Sequence, residues 1–130
     1  MIVVDASVIL EVLLVTPASS PIRERLFSAG QTLHAPHLLD LEVAQVLRRY
    51  CLSGQLGPKR GLQALRDLAD FPLTRYPHDL FLPRIWQLRH NVTAFDAAYL
   101  ALAEALPAPL LTRDTSLASS SGHTAKIELV

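Results

Sequence analysis

Four acidic side chains lie at the ends of strand-like segments or in the first turns of helical segments. Asp5 ends the apolar run MIVV, although an ionised carboxylate removed from water is destabilising unless something compensates it. Glu42 and Asp96 fall in the first turns of segments with helical patterning, and Asp114 ends the segment APLLTRD. Carboxylate oxygens gathered at one place attract hard divalent cations such as Mg²⁺ or Mn²⁺. The chemistry that such a group supports is hydrolysis assisted by a metal ion.

Alternating strand-like and helical segments decide whether these acids can meet. Strands are predicted at MIVVD, QTLHAP, PLTRYP, APLLTRD and AKIELV, although prolines at both ends make PLTRYP less typical of a strand. Helices are predicted at residues 7–14 and at SPIRERLFSAG, LLDLEVAQVLRRYCLSG, PKRGLQALRDLADF, HDLFLPRIWQLRHN, TAFDAAYLALAEAL and TSLASSSG. In SPIRERLFSAG, Ser20 is the expected cap, Pro21 the first helical residue and Gly30 the stop. The alternation predicts an α/β fold with a parallel sheet covered on both faces.

In such a sheet, ligands bind beyond the carboxyl ends of the strands, near the reversal of strand order. Asp5 and Asp114 both end strands and should reach this rim, which the amino ends of following helices also approach. Asp96 follows another helix, so the pattern alone does not place it. Two unit charges 4 Å apart repel by about 4 kcal/mol at an effective dielectric constant of 20. Four acids at one rim would therefore bind cations or take up protons.

Helix capping offers a separate explanation for each acid. The two acids that end strands each precede a predicted helix and can cap it. Thr93 and Asp96 resemble a capping box with Asp in place of Glu. Glu42 can be a solvated helix residue, with Asp40 better placed as the cap. Capping does not explain why four such acids would share one rim.

Composition limits the class of protein. With 130 residues, 50% of them apolar and 18% charged, the chain is expected to fold as one domain over residues 1–130. The net charge is zero, but setting the four acids aside leaves eight acids against 12 Lys and Arg, which suits a polyanionic substrate. No apolar run reaches the roughly 18 residues of a membrane span, and no leader is recognised. The single Cys51 fits a reducing cytoplasm, and His34 and His37 are interpreted as ordinary loop or core residues.

The helix AFDAAYLALAEAL is apolar nearly all round, so it is either buried in the core or meets another subunit. The first two helices are also rich in apolar residues. These features suit a dimer with a groove for an amphipathic partner segment, or a fully covered α/β core.

Several segments, in this order, resemble one known family over nearly the whole chain. VVDASV, APHLLDLEVAQVLRR, WQLRHNVTAFDAAYLALAEAL and LLTRD are similar to the PIN-domain ribonucleases, specifically the VapC toxins of type II toxin–antitoxin modules. The resemblance implies a PIN-like three-layer α/β/α fold with a central parallel sheet of about five strands. It also implies a Mg²⁺- or Mn²⁺-dependent endoribonuclease, a homodimer, and a cognate VapB antitoxin that blocks the site within a hetero-oligomer.

The resemblance also assigns residues. The metal-binding and catalytic side chains it implies are Asp5, Glu42, Asp96 and Asp114. Ser7 and Thr112 match hydroxyl positions that hold the acids or a water. Arg89 and Arg113 lie beside the motifs and are candidates for phosphate contact, although a solvated surface charge is the alternative, above all for Arg113.

Three other classes of protein are alternatives to this one. A haloacid-dehalogenase-like phosphatase needs a second acid two residues after the first, where Ser7 stands. A receiver domain needs an acceptor Asp after the third strand, and PLTRYP supplies none. A catalytically silent PIN-like interaction module stays open, and a nuclease assay with and without EDTA distinguishes it from the enzyme.

Overall fold

The computed structural model describes all 130 residues. The strands are β1 (Ile2–Val4), β2 (Leu33–Pro36), β3 (Leu73–Tyr76), β4 (Leu110–Thr112) and β5 (Ile127–Leu129). The helices are α1 (Ala6–Leu13), α2 (Ser19–Leu26), α3 (Leu38–Leu52), α4 (Pro58–Ala69), α5 (Leu82–Gln87), α6 (Ala94–Ala105) and α7 (Thr115–Ala118), with a 3₁₀ turn over Asp79–Phe81. Every predicted strand and helix is present, including the strand at PLTRYP.

The five strands form one sheet in the order β3-β2-β1-β4-β5, and all neighbouring pairs are parallel. The chain moves outward from β1 to β3, then returns past β1 to β4 and β5, so the strand order reverses between β1 and β4. Because crossovers between parallel strands are right-handed, connections that run toward β3 place their helices on one face of the sheet. Connections that run toward β5 place theirs on the other face. Helices α1 to α4 therefore cover one face and α5 to α7 the other, which confirms the three-layer α/β/α prediction.

The core is centred on β1 and α6. The three residues of β1 are fully buried, as a short β-branched strand in the middle of a parallel sheet should be. Residues 97–103 of α6 are also buried within the single chain. The buried residues of α6 agree with the core interpretation of this segment, and Phe95 in its first turn remains exposed on the single chain. None of the helices is both long and apolar enough to cross a membrane.

Helix α2 differs from its prediction at both ends. It begins at Ser19, with Ala18 at the cap position and no side-chain cap, so the prediction that Ser20 caps this helix is wrong. The Ser19 N–H donates to the Thr16 carbonyl at 3.0 Å, which lets the preceding turn lead directly into the helix. The helix ends at Leu26, and Gly30 lies beyond it in the left-handed region at φ +80°.

Helix α3 begins without the cap that was expected of Asp40. His37 occupies the cap position, and its side chain makes no capping hydrogen bond. Asp40 instead accepts hydrogen bonds from Arg75 Nε of β3, the shorter at 2.8 Å. The prediction failed because the partner of Asp40 lies 35 residues away in the sequence.

His34 is a core residue of β2. Its two ring nitrogens lie 2.7 Å from the hydroxyl oxygens of Thr32 and Tyr76, so both are satisfied by the protein. Burial lowers the pKa of the His34 imidazole, which favours the neutral ring. These contacts agree with the interpretation of His34 as an ordinary core residue.

Candidate active site

Two of the predicted acids lie where the strand order reverses. Val4 of β1 is paired with Leu111 of β4, so Asp5 and Asp114 follow neighbouring strands at the same rim of the sheet. The Asp5 N–H donates to the Leu111 carbonyl at 3.3 Å, which extends the pairing to the strand ends. This reversal is where ligands bind in open parallel sheets.

Asp5 is buried, with 7% of its surface exposed, and both carboxylate oxygens accept hydrogen bonds. Oδ1 accepts from the Ser7 hydroxyl at 2.5 Å and from the Val8 N–H at 3.2 Å, so Asp5 caps α1. Oδ2 accepts from the Thr112 hydroxyl at the end of β4. Burial raises the pKa of the Asp5 carboxyl, and these hydrogen bonds oppose the rise.

Ser7 and Thr112 connect Asp5 to the loop that carries Asp114. The Arg113 N–H donates to Ser7 Oγ at 3.0 Å, and the Asp114 N–H donates to Thr112 Oγ1 at 3.0 Å. Each hydroxyl thus accepts from the backbone after β4 and donates to Asp5. This pair of bridges fixes the Asp5 carboxylate relative to the backbone of Asp114.

Glu42 projects from α3 toward the same rim and meets Tyr99 of α6. The Tyr99 hydroxyl donates to Glu42 Oε1 at 2.6 Å, and the tyrosine is 1% exposed. Burial raises the pKa of Glu42, the charges of Asp5 and Asp96 add to the rise, and the Tyr99 hydrogen bond opposes it. Burial and the Glu42 charge raise the pKa of the Tyr99 phenol, so at neutral pH it remains a protonated donor.

Sequence analysis missed Tyr99 as a residue of the site. It stands within the apolar run of α6, and its ring is indeed packed in the core. The available signal was its spacing: Tyr99 follows Asp96 by three residues, and residues three apart lie on the same side of a helix.

Asp96 and Asp114 complete the group. Asp96 lies in the first turn of α6, and its N–H donates to the Thr93 hydroxyl at 3.2 Å, so Thr93 caps the helix. Burial raises the pKa of Asp96, and the charges of Asp114 and Asp5 add to the rise. Asp114 is exposed and caps α7, where hydrogen bonds from Ser116 and the α7 backbone lower its pKa.

The four acids form one electrostatic cluster. The charge of Asp5 acts on both Glu42 and Asp96, and the charge of Asp114 acts on Asp96. No three His, Cys, Asp or Glu side chains are arranged to hold a metal as they stand. Hydroxyl and backbone donors of the protein occupy part of the carboxylates of Asp5, Glu42 and Asp114. Glu42 Oε2 and Asp114 Oδ2 accept no hydrogen bond from the protein.

This donor set fits a hard divalent cation. All of its ligand atoms are carboxylate oxygens, which Mg²⁺ and Mn²⁺ prefer, and no thiol or imidazole lies among them. A cation would also relieve the repulsion that contributes to the raised pKa values of Glu42 and Asp96.

Both predicted arginines lie near the acids but already have protein partners. Arg113 Nε lies 3.2 Å from Glu11 Oε1, and its Nη1 donates to the Val130 carbonyl at 3.0 Å. The Arg89 guanidinium lies over the ring of Trp86, 4.7 Å from its centroid, and donates to the Trp86 carbonyl at 2.9 Å. A phosphate would have to share Arg113 with these two partners.

Two cavities of different character flank the acids. The first, of about 660 Å³, has Ser7 and Glu42 among its lining residues, and its apolar residues include Leu10, Leu41, Val46 and Phe95. The second, of about 530 Å³, is mostly polar, and its lining includes Arg89, His90, Asn91, Thr93, Asp96 and Ser116. The acid cluster therefore borders an apolar cavity on one side and a polar one on the other.

The fold and the site define a class: a doubly wound α/β protein with a carboxylate cluster at its switch point. A family model described as PIN domain matches residues 2–121. Ribonuclease VapC12 of Mycobacterium tuberculosis is 42% identical over 130 residues, which span 100% of this chain and 99% of that protein. Ribonuclease VapC1 of the same organism is 43% identical over 132 residues, with 98% and 96% covered. The chain belongs to the PIN-domain family and, within it, to the VapC ribonucleases.

A solved structure agrees with this fold. The crystal structure of VapBC2 from Rickettsia felis, bound to a DNA fragment from their promoter, matches with a TM-score of 0.71 and 14% identity. The match covers 99% of this chain and 98% of that chain. At this identity the likeness concerns the fold alone.

Proposed function

We propose that this chain is the toxin of a VapBC-type toxin–antitoxin pair and an endoribonuclease that hydrolyses RNA phosphodiester bonds with a divalent cation. The observation that carries the proposal is the cluster of carboxyls at the switch point, where burial raises the pKa of Asp5, and burial together with the charges of neighbouring acids raises the pKa values of Glu42 and Asp96. Dependence on a divalent cation is a general feature of this family. For this chain, Mg²⁺ is the proposed ion and Mn²⁺ its substitute.

The residues proposed to hold the cation and to perform catalysis are Asp5, Glu42, Asp96 and Asp114. When bound, the cation supplies a Lewis acid that activates water and offsets negative charge on the phosphate. Glu42 and Asp96, whose pKa values are raised, are the candidates to accept a proton from the attacking water. Ser7 and Thr112 hold Asp5 in place, and Arg113 and Arg89 are the candidate cations for the RNA.

The proposed partner is a VapB-type antitoxin. The apolar cavity beside Glu42 suits the apolar face of an amphipathic segment, which would cover the acids when it docks. We also propose that the toxin is a cytoplasmic homodimer, built from a single PIN domain over residues 1–130, and that it forms a hetero-oligomer with the antitoxin. Several large apolar side chains are exposed on the single chain, among them Leu41, Leu52 and Leu80, which supports further association.

The test is cleavage of total RNA with the new ends mapped by sequencing. Wild-type protein should cut RNA in Mg²⁺, lose activity in EDTA, and recover it when Mg²⁺ or Mn²⁺ is restored. Asp5→Asn and Asp96→Asn should abolish cleavage with the fold intact by circular dichroism. Asp67→Asn, which changes an exposed acid of α4 outside the site, should leave cleavage unchanged.

Each alternative predicts a different result. Absence of cleavage with any divalent cation would indicate a silent interaction module. Release of phosphate from small monoesters without RNA cleavage would indicate a phosphatase. Full activity in both Asp→Asn variants would refute the assignment of the acids.

A further inference from the structure

Trp86 of α5 is unusually open for a tryptophan, with 67% of its surface exposed. An exposed tryptophan ring offers a large, rigid surface on which a ligand can pack. Trp86 is also the only tryptophan of the chain. The core contacts of α5 come from other residues, since Ile85 and Leu88 pack against the core cluster.

Arg89 connects Trp86 with the polar cavity. Its guanidinium lies 4.7 Å from the centre of the indole ring and is also held by the Trp86 carbonyl. The same side chain lines the 530 Å³ cavity, whose wall includes Asp96 of the acid cluster. The guanidinium therefore lies against the indole ring and also borders the space beside the proposed reaction site.

The other walls of this cavity offer donors and acceptors without a second large apolar surface. His90, Asn91, Thr93 and Ser116 contribute imidazole, amide and hydroxyl groups. The volume falls within the roughly 300–1,000 Å³ of small-ligand sites. RNA-binding proteins read single-stranded nucleotides by stacking the base on an aromatic ring or an arginine plane and by hydrogen bonds to its edges.

We propose that this polar cavity binds the nucleotide next to the cleaved phosphate, with its base stacked on Arg89, which Trp86 holds in place. The inference rests on the proposed ribonuclease function and adds a subsite that selects the RNA sequence. Arg89 acts through its plane as well as its charge, which differs from a simple phosphate contact. The polar groups around the cavity read the edge of the base.

A protein partner is the other occupant to consider, because Leu82 is exposed one turn before Trp86 on the same helix. The observations favour RNA. The Arg89 guanidinium covers one face of the Trp86 ring. The adjoining cavity is polar, and its lining includes Asp96.

The experiment uses a short single-stranded RNA that contains the cleavage site mapped with the wild-type protein. Copies of this RNA carry an abasic nucleotide at each position around the cut. The protein variants are Trp86→Ala, Arg89→Ala and Arg89→Lys, with Leu82→Ala as the matched control for loss of an exposed apolar side chain on α5. KM and kcat are measured for each pair, and light scattering reports the oligomeric state.

We expect one abasic position to raise the KM of the wild type by about tenfold with little change in kcat. Trp86→Ala and Arg89→Ala should raise KM by about the same factor on intact RNA and add nothing on that abasic RNA, because both changes remove one interaction. Arg89→Lys should behave like Arg89→Ala, since lysine keeps the charge and lacks the plane. Leu82→Ala should match the wild type.

Three results would overturn the proposal. If Arg89→Lys has the wild-type KM, the charge of Arg89 alone is sufficient, and the residue contacts a phosphate and not a base. If the abasic position and Trp86→Ala raise KM independently, the base does not stack on the Arg89 side chain that Trp86 holds. A changed oligomeric state in both Trp86→Ala and Leu82→Ala would assign this surface to a subunit contact.

Trp86 fluorescence separates failure of this inference from failure of the proposed function. If the wild type cuts no RNA, the ribonuclease function fails and no cleavage site is mapped; binding is then read from the single tryptophan with a mixed-sequence single-stranded RNA and a fully abasic copy of the same length. Intact RNA should change the Trp86 fluorescence at lower concentration than the abasic RNA. Equal responses to the two RNAs would refute the subsite whether or not cleavage occurs.

Discussion

Asp5 and Asp114 each serve a helix and the site at once. Asp5 Oδ1 caps α1 through the Val8 N–H, while Oδ2 bonds to Thr112 at the end of β4. Asp114 Oδ1 caps α7, and its Oδ2 accepts nothing from the protein. A residue between a strand and the helix that follows it lies at the sheet rim and at a helix start by the same geometry. Capping and cation binding were alternatives in the sequence, but the structure allows both.

Removal of the Tyr99 hydroxyl tests how Glu42 is held. In Tyr99→Phe the ring still fills the core, but Glu42 loses its donor at 2.6 Å. A hydrogen bond to a charged group is worth about 1.5–3 kcal/mol, and part of it is recovered from water. We therefore expect kcat/KM for RNA to fall about fivefold to 20-fold. Affinity for Mg²⁺, measured by calorimetry, should fall as well.

Tyr76→Phe is the matched control. Its hydroxyl lies 2.7 Å from His34 Nδ1 on the β2–β3 side of the sheet and touches none of the four acids. This variant should lose some thermal stability and keep its activity and Mg²⁺ affinity. If the two tyrosine variants lose stability alike and both retain full activity, Tyr99 is only a core residue.

The residues of the site differ in how far the sequence predicted them. Asp5 and Asp114 follow apolar strands, and a parallel sheet brings such positions to one rim whatever the packing details. The hydrogen bond from Tyr99 of α6 to Glu42 of α3 joins helices that lie on opposite faces of the sheet, and no local pattern contains it. The partners of Arg113 are equally non-local: Glu11 lies in α1, and Val130 is the last residue.

At the scale of elements, Gly61 lies inside α4, where glycine normally destabilises a helix by about 1 kcal/mol relative to alanine. A Cβ at this position would lie 2.7 Å from Cys51 Sγ of α3, so the cysteine side chain would have to shift to admit it. Gly61→Ala should therefore lower the free energy of unfolding by about 1 kcal/mol, rather than raise it. Urea unfolding measures the difference.

The control removes the sulfur that the new methyl group would meet. In Cys51→Ala/Gly61→Ala, the clash disappears and the higher helix propensity of alanine remains. The double variant should be at least as stable as Cys51→Ala alone. Equal destabilisation by Gly61→Ala in both backgrounds would show that something other than the sulfur requires glycine.

Glu104 ties α5 and α6 to the loop before β5. Its carboxylate accepts from Arg84 Nε at 2.8 Å, from Arg84 Nη2 at 2.9 Å and from the Thr124 N–H at 2.9 Å. These partners lower the pKa of Glu104 to about 2. A lowered pKa in the folded state means that its contribution is present above the unfolded pKa and is lost as the pH falls toward 2.

Glu104→Gln should therefore reduce stability by about 1–2 kcal/mol at pH 7, after allowance for solvent screening of Arg84. The difference from wild type should shrink between about pH 5 and pH 2, as Glu104 becomes protonated in the wild type. Urea unfolding at pH 7 and pH 3 measures it. A difference that is independent of pH would mean that packing, and not the charge, is responsible.

The helices show where sequence patterns are sufficient. Helix α6 was predicted with its cap, because Thr93 follows a turn and precedes a continuous apolar run. Helix α2 was misplaced at its start, because the Thr16 carbonyl extends the preceding turn and removes the need for a Ser20 cap. Local signals thus predicted elements well, but hydrogen bonds between distant segments decided their ends.

At the scale of the whole molecule, the ionised acids of the site lower the free energy of unfolding. Burial raises the pKa of Asp5, and burial together with repulsion from neighbouring acids raises the pKa values of Glu42 and Asp96. Such groups bind protons more tightly in the folded state than in the unfolded state, so stability falls as the pH rises above the unfolded pKa. Above the pKa of the folded state the loss of stability is complete, and only a bound cation that compensates the negative charge can restore it.

Asp96→Asn should therefore be more stable than the wild type when divalent cations are removed with EDTA. The advantage should be absent near pH 4, close to the ordinary pKa of an aspartate, and should grow to about 2–4 °C in Tm by pH 7.5. A cation at 100 times its Kd stabilises the folded state by about 2.7 kcal/mol, so Mg²⁺ should reverse the order of the two proteins. Asp67→Asn, outside the cluster, should follow the wild type throughout. If Mg²⁺ raises the Tm of wild type and Asp96→Asn equally, the ion does not bind through Asp96. If Asp96→Asn is the less stable protein in EDTA at pH 7.5, the ionised Asp96 carboxylate stabilises the folded state. The proposed repulsion among the acids would then be wrong.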